Sequence, residues 1–121
     1  MTKRKQDFVT WTGNDEKIEF TVYQDDGVTP LNISAGTLYW IMKESRTATA
    51  ALIEKETGGQ GISITDGANG KCQVDLDPAD TNGLEGAKYF HELKLTLSNE
   101  TKTVSEGTVT IHRSGFSDLT P

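Results

Sequence analysis

Apolar and polar residues alternate with a period of two over long parts of this chain, which is the pattern of half-buried β-strands. The longest alternation covers residues 87–97, AKYFHELKLTL. The side chains of its inward parity are Tyr89, His91, Leu93, Leu95 and Leu97. Residues 16–24 repeat the pattern, with Ile18, Phe20 and Val22 on the inward face. Each segment therefore predicts a strand with one buried face and one solvated face.

Shorter segments predict the remaining strands, at residues 7–11, 37–43, 52–57, 62–65, 72–76 and 103–113. In the first of them, Phe8 and Trp11 are the candidate core anchors. The segment TLYWIMK at 37–43 is apolar on both parities. It is either a central strand covered on both faces or a strand with one face awaiting a partner.

A β-bulge is expected in the last strand. Val104 and Ile111 are both apolar, but they have opposite parity. One extra residue in this strand would bring both side chains to the inward face. The glycine in this segment places the expected bulge near Glu106 or Gly107.

Two turns have clear signals. The sequence DGANG at 66–70 predicts a tight hairpin turn that ends with positive φ. The sequence DPADTNG at 77–83 predicts one turn of helix. In it Asp77 is the N-cap, Pro78 takes the first helical position and Asp80 reaches back to the cap.

Seven or eight short strands with regularly spaced turns predict an all-β fold, an immunoglobulin-like antiparallel β-sandwich with one short helical turn near 77–83. The chain has 121 residues, which suits a single core. The expected domain covers residues 7–113. Residues 1–6 are predicted to be a basic N-terminal tail and residues 114–121 a C-terminal tail.

The charge balance argues against nucleic-acid binding. The formal net charge is −6, whereas binding to phosphates needs a basic surface. The basic residues Lys3, Arg4 and Lys5 are interpreted as part of the solvated tail. No apolar run reaches the roughly 20 residues of a membrane span, so no membrane partner is expected. The start has no secretory signal, so the protein is expected to stay in the cytoplasm where it is made until it joins an assembly.

Cysteine and histidine offer little reactive chemistry in this pattern. Cys72 is the only cysteine, which excludes an intrachain disulfide, and its parity predicts a buried apolar side chain. His91 is predicted to point inward and His112 outward, so the two cannot easily meet as a metal pair. Neither a nucleophile elbow nor a phosphate-binding glycine loop is present in the sequence. We therefore expect no enzyme, no catalytic residues and no cofactor.

Four carboxylates fall within eleven residues around the helical turn, namely Asp75, Asp77, Asp80 and Glu85. Oxygen ligands of this kind suit calcium, and loops at the ends of β-sandwiches often hold it. Capping of the helical turn is the favoured role of Asp77 and Asp80, so no metal site is predicted. The alternative function is a ligand-binding module that contacts host carbohydrate with help from calcium in this loop.

Aromatic and apolar side chains on the outward parities are the remaining functional signal. These are Tyr23, Tyr39, Ile41 and Phe90. Exposed patches of this kind commonly mark protein contacts. The alternative is that they cover a second core face or the hinge between two sheets.

The chain resembles small immunoglobulin-like domains of tailed-phage and prophage virion proteins over about residues 7–112. The resemblance rests on the GISITD segment, the LDPADT turn at 76–81 and the YFHEL strand at 89–93. It is similar in particular to the N-terminal domain of phage baseplate upper proteins. The resemblance implies a virion component of the tail, baseplate or fibre region, without catalytic residues.

The same resemblance implies the partners and the location. Expected partners are other phage virion proteins, and a homo-oligomer, either a trimer or a hexamer, is expected by analogy with tail parts. The location would be the virion, and the bacterial host cytoplasm before assembly. Baseplate members of the family continue into receptor-proximal segments, whereas this chain stops at Pro121. An adaptor role is therefore expected in preference to receptor binding.

Overall fold

The computed structural model of the chain describes residues 4–115. Nine strands lie in this part of the chain: β1 (Arg4–Lys5), β2 (Phe8–Trp11), β3 (Glu16–Thr21), β4 (Thr37–Lys43), β5 (Ile53–Thr57), β6 (Gly61–Asp66), β7 (Lys71–Leu76), β8 (Ala87–Leu97) and β9 (Glu100–His112). A 3-10 turn at Gly67–Asn69 joins β6 to β7, and the short helix α1 (Pro78–Thr81) follows β7. The predicted all-β fold with one short helical turn is confirmed.

The strands form one mixed sheet in the order β1, β9, β8, β4, β5, β6, β7, β3, and β2 also pairs with β9. The predicted hairpins β4–β5 and β6–β7 are antiparallel. Not every pairing is antiparallel, however, because β1 and β2 run parallel to β9 and β5 runs parallel to β6. The alternation of side chains does not distinguish parallel from antiparallel partners, so these pairings could not be read from the pattern.

The sheet nearly closes on itself around one core. The ladder between β5 and β6 contains two residue pairs, Glu56 with Gly61 and Thr57 with Ile62. A sheet with so narrow a link can be described as one bent sheet or as two sheets joined at a corner. At the other side, the edge strands β2 and β3 approach through side chains. Thr10 Oγ1 donates to Glu16 Oε1 over 3.0 Å.

The core confirms the inward parities of the long strands. Tyr89, His91, Leu93 and Leu95 of β8 are all buried, as are Ile18 and Phe20 of β3. In β4 the inward set is Leu38, Trp40 and Met42, each with no exposed surface. Tyr39 on the opposite face of β4 is 37% exposed, so that face is not covered by a second core layer. Of the two alternatives for this strand, the structure shows the uncovered face.

The helical turn α1 has the expected caps. The Asp77 carboxylate accepts a hydrogen bond from the Asp80 backbone N–H, and the Asp80 carboxylate accepts one from the Asp77 N–H. Pro78 takes the first helical position, where its missing N–H costs nothing. The hairpin turn before β7 also matches its prediction, because Gly70 has a φ of 72°.

The bulge in β9 lies at a different residue from the one expected. Leu93 pairs with Ser105 and Lys94 pairs with Thr103, which leaves Val104 as the extra residue. Gly107 has another role, because a Cβ at this position would lie 2.1 Å from the carbonyl oxygen of Gln6. The glycine is required for the close approach of the N-terminal segment to β9.

The domain begins closer to the N-terminus than residue 7, where it was expected to start. Arg4 and Lys5 pair with Ser105 and Glu106, so β1 lies within the segment predicted as a tail. Residues 1–3 and 116–121 lie outside the described residues. Of the predicted C-terminal tail, Ser114 donates its backbone N–H to Thr12 Oγ1 over 2.9 Å.

One buried hydroxyl predicts a stabilising substitution. Ser105 is 4% exposed, and its Oγ has no hydrogen-bond partner among the residues that the structure describes. Because an unsatisfied buried hydroxyl costs free energy, Ser105→Ala should raise the free energy of unfolding by about 1 kcal/mol in urea denaturation. The exposed strand residue Ser63 is the control, and Ser63→Ala should change it by less than about 0.5 kcal/mol. A clear loss of stability in Ser105→Ala would contradict the prediction.

Candidate protein-interaction surface

Three of the four residues predicted for a protein contact lie on one face of the sheet. In the β4–β8 ladder Ile41 pairs with Glu92 and Lys43 with Phe90, so Tyr39, Ile41 and Phe90 all point outward. Tyr23 does not join them. It lies after β3, at the other end of the strand order, and forms an isolated bridge with Pro30.

The same face carries most of the exposed large hydrophobic side chains of the described chain. There are five such side chains, Val9, Trp11, Val28, Tyr39 and Leu52. All except Val28 lie on the outward side of the strands from β5 through β4, β8 and β9 to β2. We call this side the outer face and define it by Val9, Trp11, Tyr39, Ile41, Leu52 and Phe90.

The strand register shows that Val9 and Phe90 lie on the same side of the sheet. Thr110 of β9 pairs with Val9 on one side and with Lys88 on the other. Phe90, two residues after Lys88 in β8, therefore points to the same side as Val9. Leu52 precedes Ile53, which pairs with the buried Met42, and so lies outward at the β5 end of the face.

Phe90 is covered by a cation. The Arg46 guanidinium lies 4.5 Å from the centroid of the Phe90 ring, and the Lys43 ammonium lies 5.8 Å from it. Arg46 also forms an ion pair of 2.8 Å with Glu106 of β9. An exposed cation–π contact is worth about 0.5–1 kcal/mol, so a partner could displace Arg46 at small cost.

Tyr39 presents its ring, while its hydroxyl is engaged. The hydroxyl donates to the carboxylate of Glu54 on β5. That hydrogen bond raises the pKa of Tyr39, which keeps the phenol protonated as a donor. The neighbours of Tyr39 and Ile41 in register are Glu54, Glu56, Glu92 and Lys94. The apolar part of the outer face is therefore bordered by charged side chains at this end.

Trp11 is exposed and its ring lies beside that of a histidine, although its segment suggested a core anchor. Trp11 is 46% exposed, and its ring centroid lies 5.1 Å from that of His112. Phe8, with the opposite parity, packs against the core. The sequence contained a signal for the exposure of Trp11. Val9 and Trp11 have the same parity in this short strand, and Phe8, which packs against the core, has the opposite parity.

His91 is buried in the core, as its parity predicted. Its Nδ1 accepts a hydrogen bond from Trp40 Nε1 over 3.1 Å, and its Nε2 donates to the carbonyl oxygen of Gln6 over 2.5 Å. Burial lowers the pKa of His91, against the smaller opposite effects of Gln6, Asp7 and Glu106. His112 is exposed, as predicted, so the two histidines do not share a site.

Cys72 is a buried side chain of β7. It is 1% exposed, and burial raises the pKa of its thiol to about 12. The thiolate, which is the reactive form of cysteine, is therefore disfavoured at neutral pH. The predicted apolar role of Cys72 is confirmed.

Three of the four carboxylates of the calcium alternative, Asp75, Asp77 and Asp80, are engaged in other contacts. Asp77 and Asp80 cap α1, and Asp80 also pairs with Lys55 over 2.8 Å. Asp75 accepts from Gln73 Nε2 over 2.7 Å and lies 3.6 Å from Lys17 Nζ. Within residues 4–115 no group of three or more His, Cys, Asp or Glu side chains is placed to hold a metal ion.

An open groove of about 830 Å³ lies beside these carboxylates, between the β5–β6 corner and β3. Its lining includes Lys17, Lys55, Asp75 and Asp77. Both lysines are already paired with carboxylates, Lys17 with Asp75 and Lys55 with Asp80. The lining also contains Asp15, Glu16 and Glu54, so the groove has more carboxylates than lysines and both lysines are engaged.

The outer face thus carries four of the five exposed large hydrophobic side chains of the described residues. In the part of the chain that the structure describes, no helix has the length and hydropathy needed to cross a membrane. No protein-family model matches the sequence, and no curated protein is significantly similar to it.

Proposed function

We propose that this chain is a non-catalytic structural module of a bacteriophage or prophage particle and binds other virion proteins through its outer face. The observation that carries the proposal is the placement of Val9, Trp11, Tyr39 and Leu52, four of the five exposed large hydrophobic side chains, on that one face. The sequence resemblance to tailed-phage virion domains supports the assignment of the partners to the virion.

The chemistry of the outer face suits a protein partner. Tyr, Trp, Phe and Arg are enriched in the centres of protein interfaces, and all four occur there as Tyr39, Trp11, Phe90 and the covering Arg46. Tyr and Trp provide large contact areas at small entropic cost because their side chains have few rotatable bonds. A rim of charged residues such as Glu54 would fix orientation more than it adds affinity.

The proposal includes assembly as a homo-oligomer, either a trimer or a hexamer. Multi-angle light scattering of the purified chain tests this part separately from the virion partners. A single monomeric mass at high protein concentration would contradict it.

The experiment for the virion role is mass spectrometry of purified particles from the bacterium that carries the gene. The wild-type chain should co-purify with the particles at a fixed ratio to the tail proteins. Its absence from repeated preparations would overturn the virion assignment.

The outer face is tested in the same particles with charge-introducing variants. Trp11→Lys should lower incorporation at least tenfold, which corresponds to about 1.4 kcal/mol, because it places a solvated charge in the contact. Tyr39→Lys should act in the same direction. Since both side chains are exposed, the melting temperature of each isolated variant should stay close to that of the wild type.

Val28→Lys is the matched control. Val28 is 74% exposed but lies in the segment between β3 and β4, away from the outer face. This variant should be incorporated like the wild type. If all three variants are incorporated equally, the chain binds its partners through another surface, even if it is a virion protein.

A further inference from the structure

The N-terminal strands pair with the rest of the sheet along one edge only. β1 and β2 pair with β9 through two and four residue pairs, respectively. The chain between them, at Gln6 and Asp7, is fixed by four hydrogen bonds. These are Gln6 N to Glu106 O, Gln6 Nε2 to Glu19 O, Thr108 N to Asp7 Oδ1, and His91 Nε2 to Gln6 O.

The hydrogen bonds of His91 fix its protonation state. The indole N–H of Trp40 can only donate, so His91 Nδ1 must carry a lone pair. The Gln6 carbonyl can only accept, so His91 Nε2 must carry the proton. We call the structure in which residues 4–11 pair with β9 the closed structure. The imidazole is therefore neutral in the closed structure, with the proton on Nε2.

A second proton on this ring is incompatible with the closed structure. It would bind at Nδ1 and point at the Trp40 N–H, so that two donors would face each other. The ring has no exposed surface and is surrounded by the rings of Phe8, Phe20 and Trp40 at centroid distances of 5.1–6.0 Å. A charge in such surroundings is costly unless it is paired.

The carboxylates that act electrostatically on His91 do not offset this cost. They are Asp7, in the segment between β1 and β2, and Glu106, in β9. Asp7 already accepts the Thr108 N–H, and Glu106 is paired with Arg46. Burial has the larger effect and lowers the pKa of His91.

Release of the N-terminal strands would give water access to His91, because Gln6 of this segment covers its Nε2. The His91 strand itself, β8, is paired on both sides, with β4 and with β9. β1 and β2 contribute only six residue pairs, and Gly13, with a φ of 80°, provides a turn immediately after β2. A strand that is paired on one side only opens locally at a lower free-energy cost than a strand that is paired on both sides.

We propose that His91 is an acid-sensitive switch for the N-terminal strands, and that its protonation releases residues 4–11 from β9 while the remaining sheet stays folded. Release removes Gln6 from His91, solvates the imidazolium and exposes the edges of β9 and β3 together with Phe8. The free edges would then be available to a strand from another protein.

The direction of the pH effect follows from proton linkage. The pKa of His91 is lowered in the closed state, whereas in the open state it returns to about 6.5. The open state therefore binds more protons below that pH. The closed state has its full stability above about pH 6.5 and loses it as the pH falls, by up to about tenfold in the closed-to-open ratio for each pH unit.

Hydrogen exchange of the full chain at pH 7.5 and 5.0 tests the switch, after correction for intrinsic exchange rates. Amide protection at Gln6 and Thr12, which donate to Glu106 and His112, should fall at least tenfold at pH 5.0. Protection in β4 and β8 should fall much less. Equal loss across the whole sheet, or no loss at the N-terminal strands, would overturn the proposal.

Two histidine variants assign the effect to one residue. His91→Gln has no titrating ring, so protection of residues 4–11 should no longer depend on pH. His112→Gln removes the exposed histidine of the same strand region and should keep the wild-type pH dependence. A pH-dependent release in His91→Gln that equals the wild type would contradict the role of His91.

A measurement on the wild type decides the matter even if His91→Gln does not fold. Nitrogen-15 NMR of the imidazole should show the Nε2–H tautomer of His91 at pH 7.5. Its protonation should coincide with the loss of the Gln6 and Thr108 amide signals of the closed state. Protonation without any change at these amides would overturn the proposal.

Discussion

Trp40→Ala is expected to lower the free energy of unfolding by about 3–5 kcal/mol. Trp40 is fully buried in the central strand β4, where its ring contacts Phe8 and His91. The substitution removes this contact area and leaves a cavity that the surrounding sheet can fill only in part. Urea denaturation followed by circular dichroism measures the effect.

Trp40→Phe separates the hydrogen bond from the packing. Phenylalanine keeps an aromatic ring in the core but has no N–H to donate to His91 Nδ1. The expected cost includes about 1–3 kcal/mol for the unsatisfied buried nitrogen, in addition to the lost volume. If Trp40→Phe were as stable as the wild type, the Trp40–His91 hydrogen bond would have no structural importance.

Gly107→Ala is expected to displace the N-terminal strands and to lower the free energy of unfolding by about 1–3 kcal/mol. The added Cβ would lie 2.1 Å from the Gln6 carbonyl oxygen and 2.7 Å from Asp7 Oδ1. The nearest atom belongs to the backbone, so a rotamer change cannot relieve the clash. Because Gln6 accepts the hydrogen bond of His91, amide protection should be lost first in residues 4–11.

Gly83→Ala is the control for this substitution. A Cβ at Gly83 meets no atom within 4 Å. The stability of this variant should stay within about 0.5 kcal/mol of the wild type. If the N-terminal strands of Gly107→Ala kept the amide protection of the wild type, the segment at Gln6 would be able to move without loss of stability.

Side-chain alternation was sufficient to predict the elements whose faces differ clearly in polarity. Tyr89, His91, Leu93 and Leu95 of β8 are buried as predicted, since only one register of an eleven-residue strand hides them all. The cap of α1 was also predictable, because the Asp77 and Asp80 contacts are local in sequence.

Pairings between distant segments were not predictable in this way. β1 contains two charged residues and no alternation, and it exists because β9 offers it a free edge. The bulge was placed near Gly107 because glycine often marks one, whereas the glycine there accommodates Gln6. Each of these contacts depends on a segment that is distant in the sequence. A local pattern of residues therefore does not predict it.

The residues of the outer face could be predicted only in part. Tyr39, Ile41 and Phe90 lie on long strands, so their parity placed them on one face correctly. Trp11 was assigned by its hydrophobicity in a strand of four residues, which is too short to define a face without its partner. The position of Arg46 over Phe90 depends on the path of the loop after β4, for which the sequence has no periodic signal.

The parallel pairing of β1 and β2 with β9 has a consequence for synthesis on the ribosome. Asp7 and Thr108, joined by a hydrogen bond, are 101 positions apart. Residues 4–11 are made before β9 and cannot dock until β9 has emerged from the exit tunnel. The core around Trp40 and His91 therefore stays open on one side until that point, because these contacts join segments far apart in the sequence.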